Sequence, residues 1–434
     1  MRYKSEAGQA VIFTAVAMVA LMGFAGLAVD MGLMRYVKRA QQTAADGAAI
    51  AGADEIRYSG GAGINSAALN AATANAFTDN TGGAACTDSS AVGCIGVVVN
   101  HPPATGPHAG QANYVEVLVT SEQQNYFMTL LGRQKTTVTA RAVATLIGTS
   151  GAGSGCVFTL GPPGVGVGVD VVGTPTLNAP TCGIEDNGNF TTSGAKLNVH
   201  AGTIGVVGTD TNNGGGTVTC TVNPSQCPVN GIPAVGDPLS FLATPAVNAP
   251  GINFNPATTP VPGSTYKSIT INNTQVVNFP AGTYIVNGSL TINAGATVCN
   301  QTGAGCAVGG ADNPGVTFYI TNGGTVKING GADVELSAPN SGTYAGILFY
   351  QDPNDTSKAI IDGNSTSYYQ GALYFPRATE LDFGGTSLTN DQAAYTIIVA
   401  DNLKVNGTAT LNLKSDYSKL PGGVSIIENA RLVE

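Results

Sequence analysis

From Ala10 to Val29 the chain runs twenty residues without an ionisable side chain, and no other feature restricts its folding as sharply. At 1.5 Å per residue a helix of that length covers the roughly 30 Å of a bilayer's hydrocarbon, so the run predicts a membrane-crossing helix. Arg2, Lys4 and Glu6 precede it, while Arg35, Lys38 and Arg39 follow. With cations on both sides, the positive-inside rule alone does not orient it. A cleaved signal peptide has a shorter apolar core and a small-residue cleavage site. "AGLAVD" supplies such a site, but the longer core favours an anchor that is kept.

Helical character continues beyond the apolar run. Tyr36 to Arg57 contains no proline, and "AQQTAADGAAIAGADEI" is mostly alanine with polar residues three or four apart, a composition that favours helix. Small residues let another helix approach closely, as Gly23 and Gly26 would inside a bilayer. Asp30 closes the apolar run and Asp46 sits in the alanine stretch. An ionisable group at the apolar boundary is costly at depth, so Asp30 points to a partner or to water.

The stretch Glu6 to Ala53 resembles the amino-terminal segment of TadG-like proteins of the Flp (tight adherence) pilus system. Gly8, Gln9, Ala28, Val29, Asp30, Gly32, Gln42, Ala44, Ala45, Asp46, Ala48 and Ala49 fit the family pattern by position; Gly47 departs from it, where the family prefers alanine. The resemblance implies a membrane-tethered component of pilus assembly or of the envelope, not an enzyme, contacting other pilus-assembly or pilin-like proteins through this helix. Gly23, Gly26, Asp30 and Asp46 are its candidate packing residues.

Eight cysteines fall into local pairs: Cys86 with Cys94, Cys220 with Cys227 and Cys299 with Cys306, leaving Cys156 with Cys182. Even number and short spacing imply four disulfides and an oxidising compartment. No pair has CxxC spacing, and His101, His108 and His200 do not flank them at zinc spacing, so no metal site is expected. Oxidised cysteines orient the helix: a single-pass protein with its amino terminus in the cytoplasm, the inner membrane as partner, and the bulk of the chain periplasmic or extracellular.

The fold class expected is α+β. Residues 1–58 form the transmembrane and extended helix. Residues 59–147 form a small α+β unit, similar in arrangement to pilin-like proteins, in which "IGVVVN", "NYVEVLVTS" and "TTVTARAVATLI" are strands and "SEQQNYFMTLLG" is a short helix capped by Ser121 and stopped by Gly132. Residues 148–155, "GTSGAGSG", form a linker. Residues 156–434 form an all-β domain rich in Gly and Asn. Its segments "TYIVNGSLTINAGATV", "VTFYITNGGTVKINGGADVEL", "AGILFYQDPNDTSKAIIDGNS", "GALYFPRATELDFGGTSL" and "YTIIVADNLKVNGTATLNL" repeat apolar strand, polar turn and alternating strand. Their roughly 22–34-residue recurrence is that of a solenoid, here a parallel β-helix of five or more coils starting earlier, in "GVDVVGTPTLNAPTCGIEDNGNFTTSGAKLNV", with a β-sandwich as the alternative.

Only 10% of residues are charged and the net charge is -9, with no basic run beyond Arg35, Lys38 and Arg39, which excludes nucleic acid as a partner. Because β-helices also act on polysaccharide, Asp352, Asp355, Asp362, Asp382, Asp391, Asp401 and Asp416 are candidate acids, with Arg377 and Lys404 beside them. Glycoside hydrolysis needs two carboxylates facing one sugar. Most of these aspartates sit instead in turns such as "QDPND", "IDGN" and "TNDQ", where they bond their own backbone. GxSxG, HExxH and Walker motifs are absent, so no catalytic or cofactor-binding residue and no cofactor is assigned. An anchored β-helix that binds or cleaves surface polysaccharide, with Asp382 in its site, is the alternative function.

Overall fold

A computed structural model of the protein describes residues 7–56, 62–148, 155–303, 305–307, 312–385, 390–420, 423 and 425–434. Arg2, Lys4, Glu6, Arg57 and the linker's residues 149–154 lie outside the described residues. The chain divides into two compact units, Met1–Ile147 with Glu428–Glu434, and Gly148–Ile427. The last seven residues, placed in the carboxy-terminal domain on sequence, are thus part of the first unit.

The first unit is built on one helix, α1 (Ala7–Asp54), which passes through Gly47 without a break. From Val11 to Phe24 its side chains are exposed on every face, the pattern of a helix meant for apolar surroundings. From Ala44 onward it is one-sided, and Ala44, Ala45, Ala48, Ala49 and Ala53 are fully buried. They pack on α2 (Ile64–Ala74) and on a sheet of β1 (Ile95–Asn100), β2 (Tyr114–Gln124) and β3 (Lys135–Gly148), with the terminal strand Glu428–Leu432 beside β3. Register explains the core: Val115 pairs with Ala144, Val117 with Ala142 and Val119 with Ala140. Alternate residues share a face, so each pair sets one large and one small side chain against the alanines of α1.

The second unit is a large β-rich domain of parallel sheets. It opens with β4 (Gly155–Thr159), β5 (Val167–Gly173) and β6 (Thr176–Ala179). The next three strands, Gly183–Asp186, Asn189–Ser193 and Asn198–Ala201, pair in parallel with β4, β5 and β6 in turn. The same succession continues to Val229–Asn230 and, after a long connection, from Thr265–Tyr266 to Thr410–Asn412. Inward residues stack by type. Tyr284 pairs in register with Phe318 and Phe318 with Phe349, and these buried rings form one column. At the turns, Asn329 donates to Asn293 and Asn293 to Asn272, each at 2.8 Å.

Strand order is not chain order. In the widest sheet Thr396–Ala400, from the end of the unit, lies between Tyr368–Phe375 and β4; the open edges are Thr265–Tyr266 and Val229–Asn230. The chain therefore enters mid-sheet, builds to one edge, crosses to the other, and builds back to its starting point. Residues 231–264 make the crossing. They carry seven prolines, which keep them out of the sheet interior. At about 3.3 Å per residue they reach on the order of 100 Å, more than twice the ~45 Å covered by ten strands. The crossing is pinned along its way: Val235 exchanges two hydrogen bonds with Asn187, Tyr374 donates to Asp237 at 2.6 Å, and Tyr350 donates to the Leu242 carbonyl at 2.9 Å. Leu239, fully buried, sits in a second apolar cluster with Tyr319, Tyr350 and Tyr374.

Candidate functional site

Asp30 occupies the turn of α1 where the apolar run ends. Gly26, Leu27 and Asp30 are spaced to lie on one helix face, and Gly26 and Asp30 are buried there. The covering element is the tip of the β2–β3 hairpin. One Asp30 oxygen accepts the Tyr126 N–H at 3.1 Å; the other accepts those of Phe127 and Met128 at 2.8 and 2.7 Å. These amides open the 3-10 helix Met128–Leu131, whose first N–H groups have no partner within the helix. A carboxylate is the strongest acceptor for them. The short helix expected over "SEQQNYFMTLLG" is thus one turn long, and Ser121 is not its cap. Ser121 lies in β2, buried against Gln41, and the capping oxygen comes from α1.

The two candidate glycines differ. A Cβ on Gly26 would lie 2.4 Å from the Phe127 ring, so the missing side chain is what lets the tip dock; around Gly23 there is nothing within 4 Å. Further along α1, Gln42 donates to Asp46 at 2.7 Å and to the Arg141 carbonyl at 2.9 Å, and Gln41 donates to Ser121 and to the Val138 carbonyl. Asp46 and the alanine face are therefore engaged inside this unit. By contrast, α1 is exposed from Val11 to Phe24, and again at Arg35, Tyr36 and Arg39 beyond Asp30.

At the far end of the sheet, Glu116 is buried and receives Arg141 Nε at 2.6 Å, Asn100 at 2.8 Å, Thr105 at 2.7 Å and the Ala104 N–H at 3.0 Å. Burial alone would raise its pKa. The hydrogen bonds outweigh burial and hold it down at about 2. Arg141 also pairs with Glu434, tying in the terminal strand.

The four disulfides join Cys86–Cys94, Cys220–Cys227 and Cys299–Cys306, the three pairs read from local spacing, and Cys156–Cys182, the pair left over. In the second unit the candidate aspartates brace turns and neighbouring strands. Asp352 accepts Tyr319 and Thr321 hydroxyls, Asp355 the Ser357 N–H, Asp362 the Gly384 N–H, Asp391 the Asn412 amide and Asp416 the Ser418 N–H. Asp382 pairs with Lys358 at 3.0 Å and accepts the Asn406 amide; Lys404 stands opposite it in register. Asp401 feels Arg377 as a nearby positive charge. Sequence reasoning missed a different group. Glu335 accepts Gln301 at 2.9 Å, and burial together with the nearby charges of Asp333 and Asp312 raises its pKa. Gln301 also lines a cleft of about 480 Å³ with Asn278, Pro280 and Asn313. Asp333 and Glu335 lie two apart in the strand Asp333–Ser337 and so share a face, while Asp312 is brought in through an isolated antiparallel bridge to Gln301 that sequence patterning does not show.

Residues 8–55 match the family model "Putative Flp pilus-assembly TadE/G-like". Comparisons with curated proteins and with solved structures find no match. The matched interval coincides with α1, Ala7–Asp54, the one described helix long and apolar enough to cross a membrane. Over residues 8–55, the helix that holds Gly26, Asp30 and Asp46, this chain is similar to the family described as Putative Flp pilus-assembly TadE/G-like.

Proposed function

We propose that this protein is a non-enzymatic, single-pass membrane component of Flp/Tad-type pilus assembly or of the envelope. Its amino terminus lies in the cytoplasm, and it displays a parallel β-solenoid with an adhesive role outside the inner membrane. The coincidence of the family match with α1 carries the reading. Four disulfides support an extracytoplasmic location. Parallel pairing of successive strand sets, with stacked Asn turns and an aromatic column, supports the solenoid. Because the alanine face is filled by the unit itself, pilin-like partners are assigned to the exposed Val11–Phe24 surface of α1, on faces turned away from the β2–β3 hairpin tip. The 59–147 segment is read as a pilin-like module.

Electron microscopy of surface filaments tests this. A deletion strain should lose them, the intact gene should restore them, and a version with residues 11–29 replaced by an unrelated apolar span should not. Filaments persisting in the deletion strain would refute the assembly role.

The second reading, binding or cleavage of polysaccharide, rests on Glu335, Asp333 and Asp312 near the Gln301 cleft. A raised carboxyl beside other carboxylates is the arrangement a general acid needs. Loss of polysaccharide binding or turnover in Glu335→Gln would favour it; no binding by the intact protein would exclude it.

A further inference from the structure

The hairpin tip that Asp30 holds is apolar on its outside. Leu130 is 86% exposed, Leu131 73% and Tyr126 64%, with Phe127 half-exposed against Gly26. Together with Val19, Met22, Gly23 and Leu27 of α1, Phe127, Leu130 and Leu131 line an apolar groove of about 360 Å³. The α1 residues of this groove all belong to the uncharged run, and Val19 stands at its middle. Between Val19 and Leu27 the helix advances about 12 Å, so the tip lies beside the half of the run that ends at Asp30.

We infer that the Tyr126–Leu131 tip enters the same lipid leaflet as this half of α1, and that phospholipid acyl chains fill the groove between them. The inference rests on the membrane-anchor reading above and adds a second, monotopic contact to it.

Three observations carry it. The groove is continuous with the all-round apolar surface of α1, so hydrocarbon that surrounds Val19 and Met22 also meets Leu130 and Leu131. Non-helical backbone is tolerated at membrane depth where its polar groups are paired within the protein, and most N–H groups of the tip are so paired. The N–H groups of Tyr126, Phe127 and Met128 go to Asp30, that of Leu130 to the Phe127 carbonyl, that of Gly132 to Thr129 and that of Arg133 to Met128. The Thr129 hydroxyl goes to the Asn125 carbonyl at 2.7 Å. Asp30 is itself consumed by these amides, which is how a carboxylate sits buried at this boundary. Finally, the tip is followed at once by exposed Arg133, and α1 beyond Asp30 by exposed Arg35, Tyr36 and Arg39. Basic and aromatic residues of this kind mark the headgroup level just above an inserted apolar segment.

All eight native cysteines are in disulfides, so a cysteine introduced into the full chain is its only free thiol. Leu130→Cys and Leu131→Cys are labelled with bimane in vesicles of phosphatidylethanolamine and phosphatidylglycerol; both sites are exposed, so neither change removes packing. Leu21→Cys serves as the span control and Ala109→Cys as the aqueous control. Lipids brominated on the acyl chain should quench labels at 130 and 131 as they quench 21, while aqueous iodide quenches only 109. If 21 responds to bromolipid but 130 and 131 respond to iodide, the tip is in water: the inference fails and the anchor stands. If 130 and 131 are shielded from both quenchers while 21 sees lipid, protein covers the groove and the inference fails. Iodide quenching at 21 would sink the anchor reading and this inference with it.

Discussion

Asp30 accepts the backbone N–H of Phe127 at 2.8 Å across ninety-seven positions of sequence, so the last turn of the apolar run and the tip of a distant hairpin are one hydrogen-bonded feature. Asp30→Ala removes the acceptor of three amides at once. Amide exchange at Tyr126, Phe127 and Met128 should accelerate by roughly tenfold or more, given what hydrogen bonds to charged groups contribute. Exchange in the β2–β3 ladder should change little. Unchanged protection at the three amides would show that the tip is held some other way.

Gly26 and Gly23 separate two roles. Gly26→Val places carbon into the Phe127 ring and should raise protease cleavage or exchange at the tip. Gly23→Val meets nothing within 4 Å, so exchange at the tip should stay at the parent level. A drop in surface filaments with Gly23→Val but intact tip protection would mark the position as a contact with other helices.

Glu116 sets an acid limit on the first unit. Its folded pKa of about 2 lies below its ordinary 4.5, so the folded state favours the ionised form. This stabilisation is fully present above about pH 4.5 and is lost as pH falls through about 2. The shift corresponds to roughly 3 kcal/mol. Urea unfolding between pH 2 and 6 should show that slope for the first unit, and Glu116→Gln should flatten it.

Removing Glu428–Glu434 strips the strand beside β3, three backbone hydrogen bonds between Val143 and the Val433–Glu434 pair, and one carboxylate from Arg141. Differential calorimetry should show the transition of the first unit moving down, with that of the parallel-sheet unit unmoved. A shift in both would mean the two do not unfold separately.

The disulfides should differ in weight. Cys156–Cys182 closes a separation of 26 residues and both sulfurs are fully buried; Cys220–Cys227 closes seven. Chain entropy makes the longer loop worth about 3.5 kcal/mol against about 2.5, and Cys156→Ala with Cys182→Ala adds a cavity. The urea midpoint of that double variant should fall further than that of Cys220→Ala with Cys227→Ala.

How legible the candidate site was depended on how local its causes were. Asp30 stood out because an acid at an apolar boundary needs an explanation, yet its explanation, the Tyr126–Met128 amides, lay in a segment whose apolar spacing read as an ordinary helix. Gly26 and Gly23 looked alike as small residues; only the approach of Phe127 to one of them tells them apart.

By itself the sequence determined what depends on neighbouring residues: the length of the uncharged run, the helix that continues it through alanine, the pairing of cysteines seven or eight apart, and strands punctuated by Asn and Gly turns. Tertiary structure alone decided which surfaces meet. Strand pairing requires a complementary register and matched inner residues but not chain adjacency. Thr396–Ala400 can therefore settle beside Gly155–Thr159, and Glu428–Leu432 beside Lys135–Gly148, with hydrogen bonds no different in kind from those of sequence neighbours. A carboxylate likewise binds whichever amides the fold brings to it, and for Asp30 those are ninety-six to ninety-eight residues away.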